Sequence, residues 1–275
     1  MYISHESPLC MIEESRKYND YDYCLVHLLP EYEQYRNFFH ESVRQGRHVL
    51  LDNSIFELGE SYNSEKFAQW VVDLKPTEYI VPDNLEDTEN TINSFKNFTK
   101  TYSDLPGRKI GVVQGKTFNE LKECYKFMAE HADKIAISFD YSYYNQNCSD
   151  VESFTTSLIG KSRNKWIDLA KGRIQFLLKL HSEGLLVEKP HHLLGCSVPW
   201  EFKVIKNIQT INRYVETIDT SNPIVAGILN NLYDEQFGLN EKWSFKLVDF
   251  INTDLSTSQR STALTNVKLF RTFCS

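Results

Sequence analysis

No stretch of this 275-residue sequence runs for about 18 apolar residues, so no transmembrane helix is expected. The opening residues, MYISHESPLC, lack a basic segment followed by a long apolar one, so no secretory signal is expected. The six cysteines (Cys10, Cys24, Cys124, Cys148, Cys196 and Cys274) are scattered, with no C-x-x-C and no Cys/His pair at zinc spacing. They read as reduced thiols in a cytoplasmic protein, with no metal site. No Pro/Gly/Ser-rich linker divides the chain and no solenoid repeat is visible, so residues 1–275 form one expected domain. Positive charge is also scarce: the net charge of −7 argues against a generic nucleic-acid binder.

The acidic average conceals one basic region. Between Lys161 and Arg213 there are ten Lys/Arg residues against four acids, Asp168, Glu183, Glu188 and Glu201. Such a face on an acidic body can hold phosphates, or it can be a solvated helix surface. With 41% hydrophobic and 24% charged residues the chain can bury a sizeable core. Its length suits a single α/β barrel, which takes about 250 residues.

Short runs rich in Val, Ile and Leu read as strands. They are Cys24–Leu29, His48–Asp52, Glu78–Asp83, Lys109–Gln114, Lys134–Asp140, His192–Ser197 and Val215–Thr220, with Ile224–Leu229 as a candidate eighth. None alternates cleanly, so both faces are expected to be buried, as in a parallel sheet. Helical spacing fills the gaps at Ser64–Leu74 (with Ser64 as cap), Asp87–Phe98, Thr117–Met128 and Pro199–Ile208. A closing helix is expected over Ser256–Phe273. The reading is a (β/α)8 TIM-like barrel with an insertion, about residues 141–191, between the fifth and sixth strands. That insertion carries one long helix, roughly Asn164 to Glu183, and most of the basic cluster.

The strand ends share a chemistry. Asp52, Asp83 and Gln114 each close a run and stand 31 residues apart; Asp140 follows 26 later, and Asp219 lies 23 beyond Cys196. That spacing is one βα unit. A single Asp after a strand commonly caps a helix or turn, and Asp140, with a polar loop behind it, reads that way. A row of them at the C-terminal face of a barrel is where catalytic groups sit. Two carboxylates across a barrel mouth suit displacement at a sugar anomeric carbon, one attacking and one moving protons. An Asp and a Gln together can read a purine edge.

The set DNSIF, VPD, VVQG, LLG and IDTS, in that order, resembles the tRNA-guanine transglycosylase superfamily, in short patches from Leu50 to Ile228. The best patches are GVVQG (Gly111–Gly115) and the Asp-x-x-x-Phe of Asp52–Phe56. That family is an irregular (β/α)8 barrel whose members exchange a guanine in a polynucleotide for a 7-deazaguanine without breaking the strand. The resemblance implies that Asp219 is the nucleophile at C1′ and that Asp52 assists proton transfer. It implies that Phe56 stacks on the base while Asp83 and Gln114, with Gly115 following, grip the base edge. Gly195 and Cys196 align with a small-residue segment beside the pocket. DNS replaces the family's DSG, and the zinc-binding C-x-C-x-x-C with its distant His is absent: after Asp219 there is one cysteine, Cys274, and no histidine.

A compact, zinc-free sequence of this kind looks more like the phage and bacterial branch that inserts 7-deazaguanines such as preQ0 into DNA. The expected partners are therefore nucleic acid, DNA ahead of tRNA, and a 7-deazaguanine base, with no membrane and no cofactor. Lys161, Arg163, Lys165, Lys171 and Arg173 are the expected backbone contacts, and Tyr141, Tyr143 and Tyr144 a candidate lining of the same groove. A tRNA-directed transglycosylase, a 7-deazaguanine nucleosidase and a non-catalytic nucleic-acid-binding subunit remain as alternatives. His191 and His192, at a strand start, read as structural.

Overall fold

A computed structural model describes residues 1–146, 165–196, 198–235, 238 and 245–275. Eight parallel strands form one sheet, in the order β1-β8-β7-β6-β5-β4-β3-β2. They are β1 (Tyr2–His5), β2 (Asp22–Leu25), β3 (Val49–Asp52), β4 (Glu78–Ile80), β5 (Arg108–Val113), β6 (Lys134–Ile137), β7 (His191–Leu193) and β8 (Val215–Thr220). The chief helices alternate with them: α1 (Glu33–Arg44), α2 (Ser64–Leu74), α3 (Thr88–Thr101), α4 (Phe118–His131), α5 (Lys165–Ser182), α6 (Trp200–Asn207), α7 (Asn222–Ile228) and α8 (Thr257–Cys274). This is a TIM-like α/β barrel. Its middle strands are buried on both faces, as their unbroken apolar runs require.

The barrel is nearly closed. β1 and β2 do not pair as a ladder; side chains span the seam. Asp20 accepts from the Ile3 N–H at 2.9 Å, Asn19 Oδ1 from the His5 N–H at 2.8 Å, and Ser4 Oγ from the Tyr23 N–H at 3.1 Å. At the N-terminal end of the barrel an ionic cluster fills the bottom layer. Fully buried Lys134 lies 2.8 Å from both Glu78 and Glu216, and Arg108 lies 2.7 Å from Glu78. Paired charge at the bottom face of a barrel serves stability, while the top face is left for chemistry.

Two strand assignments need correction. Tyr2–His5 is a strand that the sequence hides, because Ser4 and His5 break any apolar run. Ile224–Leu229 is no strand: its residues form α7, with Pro223 in the first turn, where a missing N–H is harmless. An apolar run buried all round has no periodicity to separate helix from strand. Gly227 makes that burial possible, since a Cβ there would lie 2.2 Å from the Ala263 Cα of α8. With β1 counted, the insertion falls between the sixth and seventh strands rather than the fifth and sixth. Its long helix is α5, close to the expected bounds. The cap of α2 is Asn63, which accepts from the Lys66 N–H, and not Ser64. Residues 24–29 leave the sheet early, turning helical at Leu28–Glu31. No helix among the described residues is long and apolar enough to cross a membrane.

Candidate active site

The C-terminal ends of the strands open into one cavity, continuous with solvent. Asp52 and Phe56, Asp83, Gln114, Gly195, Cys196 and Asp219 all line it, although they come from five separate strand ends. Gly115 does not. It is a packing position, where a Cβ would sit 2.8 Å from the Glu120 side chain and from the Leu121 nitrogen.

After β3 the chain turns sharply. Ser54 adopts φ +60°, a left-handed conformation that a non-glycine residue pays for. The turn is held because Asp52 Oδ2 accepts from the Ser54 N–H at 2.7 Å and Asn53 Oδ1 from the Ile55 N–H at 3.0 Å. Burial first, and then the charge of Glu57, push the Asp52 carboxyl well above the ordinary carboxylate range; Asp219 adds to this, while the Ser54 N–H and Tyr23 oppose it. Asp52 is thus biased toward carrying a proton. Phe56, in the short helical turn Ile55–Leu58, is 48% exposed at the rim. The Lys246 ammonium lies 4.8 Å from its ring centroid and donates to the Phe56 carbonyl at 2.9 Å.

Asp83 and Gln114 form a pre-built pair. Gln114 Nε2 donates to Asp83 Oδ2 at 2.7 Å, and its Oε1 accepts from the Glu86 N–H at 2.9 Å, which fixes the amide orientation. Asn53 Nδ2 donates to the other oxygen, Oδ1, at 2.7 Å. Burial raises the Asp83 pKa, and these two amides pull against it. The second hydrogen of Gln114 Nε2 and the outer lone pairs of Asp83 are left for a ligand that offers both donors and an acceptor.

Asp219, near the end of β8, is held by the next loop over. The Gly195 N–H reaches its Oδ1 at 3.0 Å and its Oδ2 at 3.2 Å. Gly195 has φ +59°, so glycine is what lets the backbone turn its N–H to the carboxylate. Cys196 is buried; its N–H donates to the Asp219 carbonyl at 3.0 Å, and its carbonyl accepts from the Thr220 hydroxyl at 2.8 Å. Burial pushes its thiol well up, so it lines the wall without being a nucleophile.

The basic candidates fare differently. Lys161 and Arg163 lie outside the described residues, as does the side chain of Lys165; Lys171 is half-buried on α5. Arg173 is not a phosphate contact. It is fully buried, with its guanidinium on both oxygens of Glu201 at 2.7 and 2.8 Å and on the Leu194 carbonyl at 2.7 Å. It braces α5 and α6 behind the cavity wall. Tyr141 and Tyr144 are likewise core residues, buried at 1% and 0% exposure, and Tyr141 donates to the Val113 carbonyl. Asp140 is exposed at the cavity mouth.

Three further residues of the site were assigned no catalytic or binding role from the sequence. Asn53 fixes Asp83, Tyr23 lines the cavity, and His192 lies 3.1 Å from Asp219. The first was in plain view two residues from Phe56's turn; the others are interior residues of β2 and β7 that only strand pairing brings close. Among the described residues no group of three or more His, Cys, Asp or Glu side chains is arranged to hold a metal ion. The five described cysteines are free thiols. Comparison with models of known protein families finds no match. No curated protein sequence matches the chain either.

Proposed function

We propose that this chain is a base-exchange transglycosylase of the tRNA-guanine transglycosylase type, a pentosyltransferase that replaces guanine in a polynucleotide, DNA ahead of tRNA, with a 7-deazaguanine such as preQ0. One observation carries the reading: separate strand ends deliver Asp52, Asp83, Gln114 and Asp219 to one cavity, each side chain already oriented by its neighbours. The absence of a zinc motif after Asp219 is what favours DNA.

In this reading the target guanosine leaves its stack and enters the cavity. Phe56 covers the base at the rim. Asp83 accepts from the base's ring N–H and amino group, and Gln114 donates to its carbonyl oxygen. An oxygen of Asp219 bonds to C1′ as the C1′–N9 bond breaks. The electron pair goes to the base nitrogen, which is protonated from Asp52. The resulting aspartyl ester is resolved when the incoming 7-deazaguanine gives its proton to Asp52 and attacks C1′, which frees Asp219. Two inversions leave the sugar configuration unchanged.

A second reading, hydrolytic release of base from a free 7-deazaguanine nucleoside, has its own support. Glu6, Glu57 and Asp140 join the catalytic acids in the lining, and among the described residues no Lys or Arg does. The described lining therefore offers a phosphate no cationic side chain. Labelled preQ0 offered with duplex DNA, with tRNA, and with free nucleoside separates these readings. Label entering DNA supports exchange. Base released from nucleoside, with no label in either polymer, replaces it with the hydrolase.

A further inference from the structure

His192 is fully buried in β7, directly beneath the cavity floor. Its Nδ1 lies 2.9 Å from the Thr217 hydroxyl. Its Nε2 has no aligned hydrogen-bond partner, yet Oδ1 of Asp219 stands only 3.1 Å away. The ring stacks on Tyr23, with centroids 5.9 Å apart and planes inclined by 20°. Tyr23 and Asp52, on the neighbouring strands β2 and β3, both line the cavity.

Elementary bonding rules favour one tautomer. A carboxylate only accepts, so the nitrogen facing Asp219 is the one expected to carry the hydrogen. Nδ1 then accepts from the Thr217 hydroxyl, which is able to donate. Burial, the largest influence, lowers the imidazole pKa, and Asp219 opposes it, so the ring is a neutral donor at ordinary pH. The two oxygens of Asp219 are consequently unlike. Among the described residues, Oδ1 meets both His192 and the shorter Gly195 contact at 3.0 Å, while Oδ2 meets the 3.2 Å contact from Gly195 alone.

We propose that His192 is a positioning residue that, with the Gly195 N–H, anchors Oδ1 of Asp219 and leaves Oδ2 as the attacking oxygen. The inference rests on Asp219 being the nucleophile. Oδ2 forms the bond to C1′ while C1′–N9 breaks; Oδ1 becomes the carbonyl oxygen of the ester and keeps its anchor. The bond to His192 aligns as the carboxylate turns to attack. Thr217 and Tyr23 hold the ring in place for that turn.

Two measurements on the whole chain test this. The first is the tautomer of His192 in the wild-type protein, read from ¹⁵N-histidine long-range correlation spectra. An Nε2–H tautomer supports the proposal; an Nδ1–H tautomer, or an imidazolium, overturns it whatever the enzyme does. The second is kinetic. His192→Leu should lower kcat for base exchange about ten- to a hundredfold, the worth of a hydrogen bond to a charged group, with KM for the incoming base unchanged. His192→Gln, whose amide reaches the Nε2 position, should recover most of it, and His192→Asn should not. Equal losses in all three variants, or a rise in KM alone, would overturn the positioning role. Should the wild type show no exchange, the transglycosylase reading falls, and the tautomer still decides whether His192 anchors Asp219.

Discussion

Replacing Asp52 by Asn separates what this residue does for chemistry from what it costs the fold. Asn keeps an oxygen to accept the Ser54 N–H, now bonded at 2.7 Å, so the turn that carries Phe56 should persist. What disappears is the transferable proton. General acid–base catalysis is worth about 10²–10⁴ in rate, and base exchange by Asp52→Asn should fall by that much. Stability should move the other way. The folded carboxyl holds its proton above the ordinary value of 3.8, because of burial first and Glu57 second. Between 3.8 and the raised folded value, the wild type therefore loses stability as pH rises, since the unfolded chain ionises freely and the folded one does not. Asn has no such loss. The melting temperature of Asp52→Asn minus that of the wild type should grow as pH goes from acid to alkaline. Thermal melts across that range, beside exchange assays with labelled base, measure both. Activity within tenfold of wild type, or a melting difference that shrinks with rising pH, would refute the assignment of Asp52 as a buried proton carrier.

Other consequences follow from particular contacts. Lys134→Met strands the fully buried Glu78 with Arg108 and His48 alone; about 3 kcal/mol should be lost, visible as a lower denaturant midpoint. The same cluster sets acid sensitivity. Burial alone would raise Glu78, but His48 and Lys134 more than offset it and take its pKa from 4.5 to about 2. Its contribution is present above 4.5 and lost as pH falls toward 2, a loss that an acid titration of the Glu78→Gln variant should lack. Asn53→Ala leaves Asp83 Oδ1 without its amide; about 1–3 kcal/mol of stability should go, and base affinity should weaken, by calorimetry.

Most of the barrel could be read directly because its strands are buried on both faces and so appear as dense apolar runs. The runs at Val49–Asp52 and Arg108–Val113 read as strands because segments of helical spacing lay on either side of them. β1 escaped because Ser4 and His5 spend their polarity on the seam, bonding Tyr23 and Asn19, a use that local pattern does not show. α7 escaped for the opposite reason: it is apolar all round, so no period marks it. Of the site, the residues at strand ends were legible and the residues beneath them were not. His192 and Tyr23 act through strand register, which brings β7 against β8 and rings from opposite sides of the barrel into contact. Arg173 misled because a fully buried guanidinium and an exposed one look alike in sequence; only Glu201, on the following helix, tells them apart.

The central claim is that Asp219 bonds to the sugar. Incubating the protein with guanine-containing DNA while removing released guanine, then denaturing, digesting and mass-analysing the peptides, tests it directly. A nucleic acid remnant esterified to the peptide containing Asp219 should be gained by the wild type, absent from Asp219→Asn, and discharged when a 7-deazaguanine is added. Base release that proceeds in Asp219→Asn, or an adduct carried by another residue, would contradict it.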